Sequence, residues 1–294
     1  TMQHYTVYEY AYNGRVLGYV KSEDSVVGLL DVAGDHMSSN NNGARIKFIA
    51  GNNVTFRKVS AAEKDLDDAD TVMNKLTYMT DIEVSAYGIY QDGKLLTVVE
   101  TRGTADSLVK ETLAHYKKTA KGMKLEQIKF AKKVEVKQLD VMLTSVQSKK
   151  QASEQLLNGG NINMSHIIKE GENINSVARK YDVNVKDMSG KNSEQSVNDL
   201  KPGDLVNMEK KVSPLEVRTV ETGKMSEEIP YETEKQETKD LYKGESLVAQ
   251  EGVNGRQIIS GTITKVNGKE IKRNIKHKEV VVQPIKKIVK VGIN

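Results

Sequence analysis

The spacing of apolar positions divides the chain into stretches that predict different elements. Near the start, Tyr5, Val7, Tyr8, Tyr10 and Tyr12 lead into Asn13-Gly14, and Val16 to Val20 follow. Asn-Gly between two such runs predicts a hairpin, because both central positions of the favoured two-residue turn need positive φ. From Ser22 onward Val26, Val27, Leu30 and Ala33 predict a helix. After a polar loop at Ser38 to Asn42, strands are predicted at Ile46–Ile49 and Val54–Phe56, then a helix over Ala69–Met79.

The same order then recurs. Gly14 aligns with Gly93, Leu17 with Leu96 and Val20 with Val99 at one constant offset. The second copy has strands at Val84–Tyr90 and Leu95–Val99 around Asp92-Gly93, and a helix over Ser107–Tyr116. An extended pair follows at Ile128–Phe130 and Val134–Val136, with a closing helix over Ser148–Leu157. A duplication of about 80 residues predicts two small α+β domains whose helices cover one sheet face. Tyr8, Tyr10 and Tyr12 would share a strand face and could stack on sugar rings. The plainer reading, for them and for Tyr87 and Tyr90, is that tyrosine suits a half-buried sheet.

From His166 to Met208 the rhythm changes. A short β-type run, His166-Ile167-Ile168, stops at Gly171, and Asn173 or Asn175 can cap a helix carrying Val177, Ala178 and Tyr181 on one side. Val185 and Met188 predict a second short helix, and Lys201-Pro202-Gly203-Asp204 a tight turn into Leu205–Met208. The simplest assembly is two small strands bracketing two short helices. After Pro214 long period-two alternation sets in, punctuated by glycines, with turns expected at Asn254-Gly255 and Asn267-Gly268. Strands this polar bury little apolar surface, which predicts a thin, elongated all-β module.

Length and composition narrow the classes. A chain of 294 residues predicts two or more domains. With no cysteine there is no thiol chemistry and no disulfide framework. No apolar run approaches the ~18 residues of a membrane helix, and Thr1-Met2-Gln3-His4 begins no signal-peptide core. A signal or membrane anchor ahead of Thr1 stays open. Against 44 basic side chains stand 40 acidic ones, too even a balance to argue for nucleic acid.

Charge is nevertheless segregated after Pro214. Residues 215–251 carry five basic and ten acidic side chains, and residues 265–290 carry nine and two. Cross-strand pairing of the two halves is the preferred reading, and a basic patch touching an anionic wall polymer is the alternative. The histidines, His4, His36, His115, His166 and His277, form no short-spaced pair, and neither Gly-x-Ser-x-Gly nor His-Glu-x-x-His occurs. No catalytic residue, metal site or cofactor is expected. His115 reads as a boundary residue and His277, between Lys276 and Lys278, as solvated.

Two stretches resemble known families. Residues 168–174, Val177-Ala178-x-x-Tyr181, Val183-x-Val185, Asn192 and Leu200-x-Pro202-Gly203 resemble a LysM module, a βααβ carbohydrate-binding unit for N-acetylglucosamine polymers such as peptidoglycan. The departures lie at His166, where tyrosine is usual, and at Ser193 to Val197. Ile229-Pro230-Tyr231-Glu232-Thr233, Leu241-Tyr242-x-Gly244, Gln250-Glu251-Gly252-x-x-Gly255 and the ending Val280 to Gly292 resemble a G5 domain. G5 domains occur on extracellular bacterial proteins. Residues 1–160 resemble, in arrangement alone, the N-terminal part of cell-wall hydrolases that carry LysM.

The expected organisation is therefore an α+β multidomain chain: repeats at 1–81 and 82–160, LysM at 161–212 and G5 at 213–294. The resemblance implies glycan binding by Gly171, Glu172, Asn173, Ile174, Lys191, Asn192, Leu200, Pro202 and Gly203. Each has a plainer role in a turn, a cap or the small core. With seven basic and eight acidic side chains, residues 161–210 would not rely on attraction to an anionic wall. Proteins that this chain resembles often carry an M23-type zinc endopeptidase domain with His-x-x-x-Asp and His-x-His motifs, and neither motif occurs here. The resemblance therefore implies an extracellular peptidoglycan-targeting and spacer region of such a hydrolase without its own catalytic domain. The alternatives are a protein-assembly element acting through residues 1–160 or the G5 sheet edge, and an unrecognised enzyme in residues 1–160.

Overall fold

A computed structural model describes residues 3–41, 43–79, 81–190 and 196–294. Strand exceeds helix, 48% against 24%, so the chain is mainly β with helices packed on its sheets. Its contacts separate two compact units, Thr1–Thr112 with Lys132–Leu215, and Leu113–Ala131 with Glu216–Asn294.

In the first unit β1 (His4–Tyr12) and β2 (Arg15–Val20) make the expected hairpin, with Asn13 at φ 47° and Gly14 at φ 83°. Helices α1 (Asp24–Val27) and α2 (Leu30–Asn40) follow. Strand β3 (Val54–Ala62) returns along β1 before α3 (Ala69–Thr77), giving the order β2-β1-β3. The second copy repeats the plan with β4 (Glu83–Gln91), β5 (Lys94–Val99), α4 (Arg102–His115), β6 (Met123–Phe130), β7 (Val134–Met142) and α5 (Lys149–Asn158). Its sheet runs β5-β4-β7, and Asp92 and Gly93 repeat the left-handed turn at φ 49° and 77°. Helix α5 starts on a capping box between Ser148 and Gln151, which satisfies otherwise unpaired first-turn amides.

Equivalent contacts mark the two copies. Asp67 N donates to Tyr19 O at 2.7 Å, and Gln147 N to Val98 O at 2.8 Å. In the first copy Lys75 Nζ and the Tyr10 hydroxyl both donate to Asp67 Oδ2 at 2.7 Å. The second copy fills that place with neutral groups: Thr97 donates to Gln155 at 2.6 Å, and Gln155 to Gln147 at 3.4 Å. Tyr10 and Tyr12 are fully buried, so they are not available to stack on a ligand. The Tyr12 hydroxyl accepts from Glu83 N at 2.7 Å, and its ring meets Phe48 edge-on.

Two expected elements differ. Residues 46–49 form no strand; Arg45 bridges Ser85 and Ala50 bridges Val54 as isolated pairs, while Ile46 and Phe48 are buried. Their alternation reports burial, but the segment meets β4 only at the Arg45–Ser85 bridge and does not extend it into a ladder. The second helix expected from Val185 and Met188 is one 3-10 turn over Val185–Asp187. Met188 instead opens a strand that ends at Gly190, a residue costly inside a helix.

The rest of the first unit comprises β8 (Gly160–Ile167), α6 (Ile174–Tyr181), β9 (Met188–Gly190) and β10 (Leu205–Val212), in the order β8-β10-β9. The second unit contains β11 (Val217–Ile229), β12 (Thr233–Thr238), β13 (Ser246–Gln250), β14 (Gly255–Val266), β15 (Lys269–Val282) and β16 (Lys287–Gly292). They form the sheets β15-β14-β11-β6 and β12-β16-β13, with β12 parallel to β16. Strand β6, which in sequence belongs to the second repeat, thus pairs with β11. Asn267-Gly268 turns as expected, at φ 50° and 74°. Asn254-Gly255 is no such turn: Gly255 opens β14, where an added methyl would lie 2.4 Å from Val282 O.

Candidate functional site

The two loops expected to hold glycan leave the same end of the β8–β10 pair. Ile168 N donates to Asp204 O at 3.0 Å and Gly203 N to Ile168 O at 2.7 Å, which extends the ladder just past β8. Lys201 N donates to Asp204 Oδ2 at 2.9 Å and closes the second loop. Gly171 is exposed at φ 84° with open space around it, so its left-handed backbone is what calls for glycine. Gly203, at φ 92°, lies against the β1–β2 turn: an added methyl would sit 3.7 Å from the Gly14 carbonyl.

Most of the other expected residues have local partners. Asn173 Oδ1 accepts from Ser176 N and Asn173 N donates to Ser176 Oγ, both at 2.9 Å, capping α6. Ile174 belongs to the module's core, Leu200 is half-buried and Pro202 is exposed. Lys191 and Asn192 lie outside the described residues. Glu172 Oε2 meets His166 Nε2 at 2.6 Å and accepts from Lys169 N at 3.0 Å. Lys169 Nζ reaches the carboxylate of Glu83 on β4 at 3.1 Å.

His166, marked in the sequence as a departure from the LysM pattern, is not among the expected binding residues. Its ring is buried, with Nδ1 2.8 Å from the Tyr181 hydroxyl. Facing a carboxylate, Nε2 carries the proton and donates to Glu172; Nδ1 of the neutral ring then accepts from Tyr181. Burial pushes the His166 pKa below its ordinary value, against the pull of Glu172. Burial raises Glu172, but the bonds from His166 and the Lys169 amide outweigh it and hold the carboxyl below its usual range. Burial drives the Tyr181 hydroxyl well above its ordinary value. The sequence signal was a polar residue in period with Ile162 and Met164 on a buried strand face.

The C-terminus of α6 has a partner of its own. Asp182 turns left-handed at φ 53°. Lys210, buried on β10, donates to Tyr181 O at 2.9 Å and Asp182 O at 3.0 Å. Burial lowers its pKa, but the cation lies where helix carbonyls gather negative charge.

In the second unit the segregated charges meet across strands. Lys265 Nζ lies 3.0 Å from Glu221, Arg273 lies 3.2 Å from Glu227, and Lys286 pairs with Glu234. Glu221 is 1% exposed in the middle of its sheet. His277 and His115 are exposed, the latter edge-on to Tyr116. Among the described residues no group of three or more His, Cys, Asp or Glu side chains is placed to hold a metal ion. No helix among them is long and apolar enough to cross a membrane.

Residues 220–294 match the family model of the G5 domain. A solved structure described as an IgA1 protease G5 domain is similar at 28% identity, covering 26% of this chain and 92% of that one, with a TM-score of 0.16. No curated protein matches the chain. The chain therefore carries a G5 domain at its C-terminal end, and the family match supports that segment alone.

Proposed function

We propose that this chain is a non-catalytic, extracellular binding and spacing region of a peptidoglycan hydrolase of the M23 type. In this reading residues 161–212 are a LysM module that grips N-acetylglucosamine polymers, and the G5 domain sets the reach. The observation that carries it is the convergence of the 171–174 and 200–203 loops at one end of the β8–β10 pair. The G5 match, a domain of extracellular proteins, supports the location. Gly171 and Pro202 offer exposed backbone to an acetamido sugar, while Glu172 and Ile174 hold the loop's shape from inside.

A second reading is assembly with another protein chain. It is favoured by β15, an edge strand of 14 residues exposed almost throughout, and by Leu247 and Val248 exposed on edge strand β13. Co-sedimentation of the whole chain with purified peptidoglycan, at low and high salt, separates the two. Salt-resistant binding weakened by Gly171→Val is the expected result. Absence of binding would remove the glycan reading and leave assembly.

A further inference from the structure

The sheet beneath α6 has a second face. Ile162, Met164 and His166 of β8, with Val206, Met208 and Lys210 of β10, are all buried. Period-two alternation turns Asn163, Ser165 and Asn207 the other way. Ser189 of β9 stands beside Asn207, and Ser165 Oγ donates to Asn207 Oδ1 at 3.0 Å. This face lines a groove of about 580 Å³. A second groove, of about 540 Å³, runs along α5 past Gln151, Asn158 and Asn161. Thr144 and Asn163 line both, so the two adjoin. Between them the chain is pinned to β8 by Ser145, whose Oγ accepts from Ser165 N at 2.9 Å.

The lining selects the ligand. Carboxamides and hydroxyls dominate, each amide offering both donor and acceptor. Among the described residues no aromatic ring lines either groove. The charged members among the described residues are Lys186 against Asp187, Glu209 and Glu154, a balance that opposes a polyanion. The methionines in the lining belong to the buried face, so an apolar peptide side chain finds no hollow. Both volumes fall in the range of ~300–1,000 Å³ usual for small-ligand sites.

We propose that this double groove binds a neutral oligosaccharide, with Asn163, Ser165 and Asn207 as its central hydrogen-bonding groups. It shares no residue with the 171–174 and 200–203 loops and does not depend on them. The test is an isotope-edited NMR titration of the whole labelled chain with the tetramers of N-acetylglucosamine and of glucose. The side-chain amide signals of Asn163 and Asn207 should shift saturably with at least one of these sugars. The double variant N163A/N207A should bind it about fivefold or more weakly, with the Gly171 and Gly203 signals of the free protein unchanged.

Shifts confined to Gly171 and Gly203 would overturn the groove and leave the loop reading standing. Shifts confined to the groove would uphold it and defeat the loop reading. A wall-type stem peptide that moves the groove amides where neither sugar does would overturn the assigned ligand. Silence with both sugars at tens of millimolar would overturn groove and loop binding together.

Discussion

His166 shows how one side chain ties a module to pH. Its buried ring resists protonation, so the unfolded chain takes up the proton first as pH falls. The stabilisation is therefore fully present above the ordinary histidine value of 6.5 and is lost as pH drops through it. Glu172 is held below its ordinary value of 4.5, and its contribution is lost only as the solution becomes more acidic than that. Amide exchange in α6 should accelerate between about pH 7.5 and 5.5, after correction for intrinsic rates, and His166→Gln should flatten that dependence. An unchanged profile in the variant would place the sensitivity elsewhere. Lys210→Met makes a second test, because Tyr181 O and Asp182 O lose their donor. Urea unfolding monitored in this module should show a loss of about 1–3 kcal/mol.

At the scale of elements, the sequence pattern is most informative where a local rule acts. The Asn13-Gly14, Asp92-Gly93 and Asn267-Gly268 turns could be read from two residues each, since positive φ is a property of the residue itself. The α6 cap at Asn173 is equally local. Alternation at Ile128–Phe130 identifies a strand but cannot name its partner, and β6 pairs with β11, almost 90 residues further along the chain. The same alternation at residues 46–49, where no ladder forms, yields coil that buries Ile46 and Phe48 and leaves Lys47 and Ile49 exposed. Gly255 looked like a turn because a close approach to another strand leaves the same residue type.

Charge segregation in residues 215–290 was also visible, but not that Glu221 would be buried beside Lys265. Removing one member of such a pair is costly, whereas replacing both by apolar groups of similar size is often neutral. Lys265→Met should accordingly lower stability by roughly 3 kcal/mol, and adding Glu221→Leu should recover most of that loss in thermal unfolding. A double variant no more stable than the single one would mean that Glu221 is held by something other than its lysine.

For the whole molecule, sequence order and spatial order part company. Residues 113–131 lie inside the second repeat of the chain yet belong to the unit built around the G5 domain. Arg218 to Gly223 of β11 are flanked by β14 on one side and β6 on the other, and Val217, Thr219 and Glu221 are buried. A fragment that begins at residue 213 keeps every G5 strand but loses β6. Its first strand then has an open edge, and a carboxylate that was buried gains water. The fragment 213–294 should exchange its amides over 217–223 much faster than the whole chain does, while amides of β16 and β12, paired to one another and not to β6, stay protected. Adding the 113–131 segment as a separate peptide should restore protection at 217–223. If the bare fragment protects that stretch as well as the full chain, β6 is dispensable and the second unit is defined by the G5 strands alone.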